Sequence, residues 1–374
     1  MSEKLRAAGW APPFEAGDPA PWFEAPTPSS PHFHFSTTVG RYVLLGFMPS
    51  PGAARDAAFN AFSAHRRLFD DIRLTAFLVL RDPESIGQAR DQPPGLRWFL
   101  DADGRVSSLY GALDAQGGEH PFWLLLDPSH RVLGAFPLDD TASLFTRVET
   151  LPAVADYAGV ELYAPVLIVP RIFEVDLCRQ LIDLYEADGG SPSGVMRDID
   201  GRTVGVMDDF KRRRDVMVED PDLRGRLQAR IFRRLLPEIA KVFQFEVTRL
   251  ERYLVACYDA TEGGFFRPHR DNETLGTAHR KFAVSINLNA EDFEGGDLRF
   301  PEFGPRTYRP PTGGAVVFSC ALQHEATRVT KGRRYAFLPF LYDQAGAEIR
   351  ERNLHLLHLE PTPEPARSAT TAAG

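Results

Sequence analysis

The chain has 374 residues, 43% of them hydrophobic and 25% charged, with a formal net charge of −8; that length sets an expectation of two domains, and the composition excludes a largely disordered chain. The acidic balance offers no field that would gather nucleic acid, and no apolar stretch has signal-peptide or bilayer-spanning length, so a soluble cytoplasmic protein without nucleic-acid or membrane partners is expected. Only Cys178, Cys257 and Cys320 occur, without paired metal spacing or the density of a disulfide scaffold, which fits a reducing compartment.

Residues 1–150 alternate strand-like and helix-like stretches, which predicts an α/β domain. The run 41–48 is continuously apolar, as a strand buried on both faces requires. Ala57, Ala58, Ala61, Phe62, Leu68 and Phe69 then recur at helical spacing. Residues 72–80 read as the next buried strand and 122–137 as a hairpin turning through Asp127 to His130, before a short amphipathic helix closes the unit. The pattern stops across 151–165, where prolines interrupt short apolar pieces, and this segment is the expected linker.

From 166 to 350 the pattern predicts an α+β domain: two amphipathic helices, the second spanning 221–243, and then many short strands. That order reads as a double-sheet jelly roll with supporting helices. Between the helices, residues 189–215 are rich in Gly and charge without a period, which predicts a mobile loop of the kind that covers active sites. Residues 361–374 are small, Pro-rich and polar, a composition expected of a disordered tail. No internal repeat is visible.

Chemistry concentrates in the second half. His269-Arg270-Asp271 is a His-x-Asp pair, and residues two apart in an extended segment project to the same side, so both side chains can reach one ion. His324 follows an apolar strand, and Arg334 lies ten residues on, across a turn. Two histidines and a carboxylate on one face form the open iron(II) site, and a planar guanidinium suits bidentate capture of a carboxylate. Strand alternation lets only one of Arg333 and Arg334 point inward; Arg334 is the expected anchor and Arg333 the alternative. His279 reads as a loop residue and Cys257 and Cys320 as buried fillers. The run 211–215, KRRRD, reads as a solvated face, with contact to an acidic substrate as the alternative, and His355 and His358 as surface residues at helical spacing.

Residues 165–345, through YLVACYDATEGGFFRPHRDN, SINLN, EGGDLRFP and HEATRVTKGRRYAF, resemble the prolyl 4-hydroxylase branch of the 2-oxoglutarate and iron(II) oxygenases. The resemblance implies Fe(II) held by His269, Asp271 and His324. It implies 2-oxoglutarate held by Arg334 and Tyr258, with O2 consumed and ascorbate as an optional addition. Asn287 stands where those relatives often carry a co-substrate-contacting tyrosine. The implied reaction is decarboxylation of 2-oxoglutarate to succinate coupled to hydroxylation of an unactivated C–H bond; the carboxylate of Asp271 favours hydroxylation over halogenation. A prolyl residue of a protein or peptide is the first substrate expected, a free amino acid or small metabolite the second, and a non-catalytic sensor or scaffold the reading from another class. Homodimerisation is compatible with either fold.

Residues 15–150, from GDPAPWFEAPTP through VGRYVLLGFMPSPGAARDAAFNAF to HPFWLLLDPSHRVLGAF, resemble peroxiredoxins and related thioredoxin-like proteins. Pro49 survives from that family's active-site motif. The hydroxyl and thiol positions fall near Ala53 and Asp56, and no cysteine precedes Cys178, so the thiolate that peroxidase chemistry requires is missing. A structural or docking module is the expectation.

Overall fold

Apolar runs without polar alternation need a layer on each face, and the first half of the chain builds that arrangement. Tyr42–Phe47 and Leu74–Leu80 are buried throughout and pair in parallel, with Leu96–Leu100 beyond them; Phe122–Leu126 and Val132–Pro137 add on antiparallel. Successive side chains feed opposite cores. Leu44, Leu78 and Leu125 join Ala58, Phe62, Leu144 and Phe145 from the helices Ala53–Ala64 and Thr141–Glu149. Val43, Leu45 and Phe77 instead join Phe35, Val106 and Tyr110. The computed structural model describes residues 10–362 and divides the chain into two units, one reaching to Tyr163 and taking in Pro301–Pro305, the other Ala164–Phe300 and the chain from Arg306.

The second unit is built on two antiparallel sheets. The larger runs Arg249–Glu251, Phe340–Tyr342, Phe282–Asn287, Arg333–Phe337, Leu254–Asp259, Arg214–Met217 and Ser191–Pro192, with Ala315–Ser319 also paired to Phe282–Asn287. The smaller runs Lys211–Arg212, Phe265–His269, His324–Ala326, Leu298–Arg299 and Thr307–Tyr308. On the larger sheet, Val255, Cys257, Val284, Ile286, Tyr335 and Phe337 pack with Leu181, Leu227 and Ile231 of the helices Val175–Asp188 and Pro221–Arg234. The alternate residues Leu254, Ala256 and Tyr258 pack with Phe293, Ala326 and Val329, toward the smaller sheet. The period of two therefore sends the polar residues Tyr258, Ser285, Asn287 and Arg334 to the face turned away from the helices.

Residues 189–215, expected to form an irregular mobile loop, contain strands instead. Val195–Ile199 and Arg202–Val206 form a hairpin in continuous register. Its two-residue turn, Asp200-Gly201, has φ of 51° and 73° at the two positions, the left-handed pair that a tight hairpin requires and that an Asp-Gly dipeptide supplies. The helix expected over 221–243 is two helices, Pro221–Arg234 and Leu236–Phe243, because Pro237 has no N–H to donate to the carbonyl one turn earlier. The apolar stretch after residue 248 is likewise broken, at Arg252, where φ is 66°. The helical spacing read for His355 and His358 does not hold either, since His358 lies in the strand Leu357–Thr362. From residue 363 onward the expected tail lies outside the described residues. Among the described residues no helix is long and apolar enough to cross a membrane.

Asp220 begins Pro221–Arg234 by accepting a hydrogen bond from the Leu223 N–H at 2.6 Å, with Pro221 at the first helical position. Asp220→Ala is expected to lower unfolding free energy by about 1 kcal/mol, read as a lower urea midpoint with an unchanged slope.

Candidate metal centre

Pairing of Phe265–His269 with His324–Ala326 sets His269 directly opposite His324, after a register shift beginning at Phe266. Asp271 lies two residues past the first strand, its backbone N–H held by the Cys320 carbonyl at 3.0 Å. One ligand atom from each of His269, Asp271 and His324 lies within 4.8 Å of the others. His269 donates from Nδ1 to the Arg267 carbonyl at 2.7 Å, and His324 from Nδ1 to the Leu322 carbonyl at 3.1 Å. In the neutral rings the lone pair is then on Nε2. These Nε2 atoms are the ones that face the carboxylate, at 3.6 Å for His269 and 3.3 Å for His324.

Burial, aided by the neighbouring His324, pushes the His269 imidazole down to about 4. Burial alone would raise the Asp271 carboxyl, but the charge and hydrogen bonds of the imidazoles in their protonated, metal-free form hold it well below the ordinary carboxylate range. Two lone-pair nitrogens oriented by main-chain acceptors, together with one ionised carboxylate, are a donor set that fits a divalent metal such as iron(II) with positions left open.

Arg334, 3% exposed, sits directly across from Tyr258 in the ladder. Its Nη2 donates to Ser285 Oγ at 2.8 Å and its Nε to Asn287 Oδ1 at 3.4 Å, while the guanidinium carbon lies 5.3 Å from the centre of the Tyr258 ring. Among the described residues no carboxylate pairs with it. Burial lowers its pKa from the ordinary arginine value, yet a guanidinium stays charged in proteins, so the pocket holds a buried cation with an open demand for an anion. Arg333 points the other way, donating to Asp259 at 2.7 Å and to Glu186, and is exposed. Strand parity thus buries Arg334 and leaves Arg333 at the surface. Close by, Gly296 has φ 70°, and a Cβ there would meet Val329 at 2.7 Å and Arg334 Cδ at 3.3 Å, which is why EGGD needs its second glycine.

Other candidates fall away. His279 is a buried loop residue bonded through Nε2 to Glu251 at 2.9 Å. Burial raises the Cys257 thiol to about 11, and Cys320 well above its ordinary value, so neither is a thiolate at neutral pH.

The run 211–215 departs from its expected solvated face. Lys211 and Arg213 are buried while Arg212 is exposed, and Arg213 Nη1 reaches the Tyr258 hydroxyl at 3.5 Å. Ser285, the partner of Arg334, carried no sequence signal.

Residues 253–342 match the family model of the 2OG-Fe(II) oxygenase superfamily. A PKHD-type hydroxylase of Synechococcus sp. (strain JA-2-3B'a(2-13)) is 28% identical over 89 residues, 22% of this chain; the chain spans only 39% of that relative's length. Among solved structures, a Pseudomonas putida prolyl-4-hydroxylase is similar to 50% of this chain over 96% of its own, at 19% identity and TM-score 0.37. A Chlorobium tepidum protein assigned as the thiol:disulfide interchange protein DsbE is similar to 36% of this chain over 96% of its own, at 20% identity and TM-score 0.31. The segment 253–342, which carries His269, Asp271, His324 and Arg334, is the part of this two-unit chain that matches the 2OG-Fe(II) oxygenase superfamily model.

Proposed function

We propose that the chain is an iron(II)- and 2-oxoglutarate-dependent dioxygenase that hydroxylates an unactivated C–H bond, with a prolyl residue of a protein or peptide as first substrate and a free amino acid or small metabolite as second. The observation that carries this reading is the convergence of two Nε2 atoms and one carboxylate in the same unit as a buried arginine that, among the described residues, forms no ion pair with a carboxylate. His269, Asp271 and His324 would hold the metal. Arg334, flanked by Tyr258 and Asn287, would receive the distal carboxylate of 2-oxoglutarate. Bound iron(II) supplies the oxidising chemistry with O2 and the co-substrate.

The remaining work belongs to the chain. Carbonyls of Arg267 and Leu322 orient the imidazoles, and the apolar layer of Leu254, Ala256, Phe293 and Ala326 keeps water from the site. The two antiparallel sheets support a double-stranded β-helix assignment for this unit. For the first unit we propose a structural or docking module, since no cysteine occurs before Cys178.

Incubating lysate proteins and metabolites with the full chain, iron(II) and 2-oxoglutarate should yield a product one oxygen heavier, together with succinate. Mass spectrometry distinguishes a modified peptide from a modified metabolite. Absence of both the product and succinate overturns the dioxygenase reading.

A further inference from the structure

Between the short strand Lys211–Arg212 and the strand Arg214–Met217 of the larger sheet, the chain buries Lys211 and Arg213 and brings Arg213 onto Asp215. Arg213, 7% exposed, donates to both carboxylate oxygens of Asp215, from Nε at 2.7 Å and Nη2 at 2.6 Å. Arg252, partly buried, lies 3.8 Å from the same carboxylate. Lys211, 9% exposed, donates from Nζ to Ser193 Oγ at 2.6 Å and to the Gly194 carbonyl at 2.8 Å. Its ammonium sits 4.9 Å from the centre of the Phe266 ring, and that ring stacks on His269 with centroids 3.4 Å apart. Among the described residues no carboxylate lies within ion-pair distance of Lys211 Nζ. Arg213 and Arg252 therefore share one anion, Asp215, and Lys211 has no carboxylate in ion-pair range, in a chain whose overall charge is −8.

The metal centre does not supply the missing charge. A divalent metal and a dianionic co-substrate would cancel, while the carboxylate of Asp271 acts on Lys211 and Arg252 and that of Asp297 on Arg334. Lys211, Arg213 and Arg252 still outnumber Asp215 and Asp271 by one charge, and buried charge is tolerated where a partner neutralises it. Burial and the adjacent Arg213 push the Lys211 ammonium well below its ordinary range, against the opposing pull of Asp215 and Asp271. Phe266 separates Lys211 from His269, so an acid held by the ammonium would lie against the ring that flanks the metal ligand.

We infer that Lys211 receives a carboxylate of the organic substrate, so that the molecule oxidised at this site is itself an acid, either a carboxylate-bearing peptide or a free amino acid. The inference rests on the dioxygenase reading and narrows its substrate class. In the fully loaded site the substrate carboxylate completes the charge balance that Asp215 leaves unfinished. Lys211 is then a specificity-determining residue with no part in holding metal or co-substrate.

The test uses the full chain, held anaerobically with iron(II) and 2-oxoglutarate, and follows the visible charge-transfer band. Two matched pairs are titrated: a proline-containing tetrapeptide with one glutamate and uncharged ends against its glutamine counterpart, and L-proline against L-prolinamide. In at least one pair the acid should perturb the band at about tenfold or more lower concentration than the amide, and which pair responds identifies the source of the carboxylate. Lys211→Met should erase that preference and Lys211→Arg should retain it. Neither pair preferring the acid, or Lys211→Met keeping the preference, overturns the inference. A chain that gives no band before any probe is added fails at the dioxygenase reading instead.

Discussion

Arg334→Met is expected to raise KM for 2-oxoglutarate by at least about 30-fold, because truncating one partner of a buried, hydrogen-bonded charge pair costs about 2–5 kcal/mol. The same substitution at Arg333 should leave KM within about twofold, since that side chain is exposed and bonded to Asp259 and Glu186; exposed pairs contribute at most about 1 kcal/mol. Arg334→Lys should recover only part of the loss, as an ammonium keeps the charge but not the planar fork that also meets Ser285 and Asn287. Stability supplies an independent check. Without ligands, Arg334→Met should melt no lower than the parent, because the buried guanidinium has no acidic partner to lose. Adding iron(II) and 2-oxoglutarate should raise the melting temperature of the parent and not of the variant. If Arg333→Met carried the larger KM effect, the orientation of the strand would be wrong.

Asp271→Ala is expected to weaken iron(II) binding beyond the roughly 10- to 100-fold that loss of an outer-shell partner costs, and to remove 2-oxoglutarate turnover with it. The variant should still fold. Both imidazoles keep their Nδ1 bonds to the Arg267 and Leu322 carbonyls, and the strand pairing that brings them together does not involve the carboxylate. Metal titration followed by succinate measurement separates the two effects, and circular dichroism reports the fold. A variant that bound iron and turned over like the parent would remove Asp271 from the centre.

The two halves differ in how much of their structure is local. The strands Tyr42–Phe47 and Leu74–Leu80 were legible because a run buried on both faces announces itself by composition alone. The hairpin through Asp200-Gly201 and the helix break near Pro237 were also written locally, in a turn dipeptide and a missing N–H, and were obscured by the charge around the first and the apolar period around the second. Lys211 shows the opposite case. Four consecutive basic residues look solvated in any window, and two of the first three are buried only because the strands before and after Arg213 pair with distant ones.

By itself the amino-acid sequence determined the ligand types, their order and the local periods: a His-x-Asp pair, a later histidine, two adjacent arginines and strands that alternate every two residues. Tertiary structure alone decided which parity faces inward, and therefore that Arg334 rather than Arg333 is buried, that Lys211 and Arg213 lie in the interior with Arg212 exposed, and that Ser285 meets the guanidinium. The physical reason is that a period of two defines two faces equally well. Only long-range pairing and the helices packed over Val255, Val284 and Phe337 assign one of those faces to the hydrophobic layer and leave the other for chemistry.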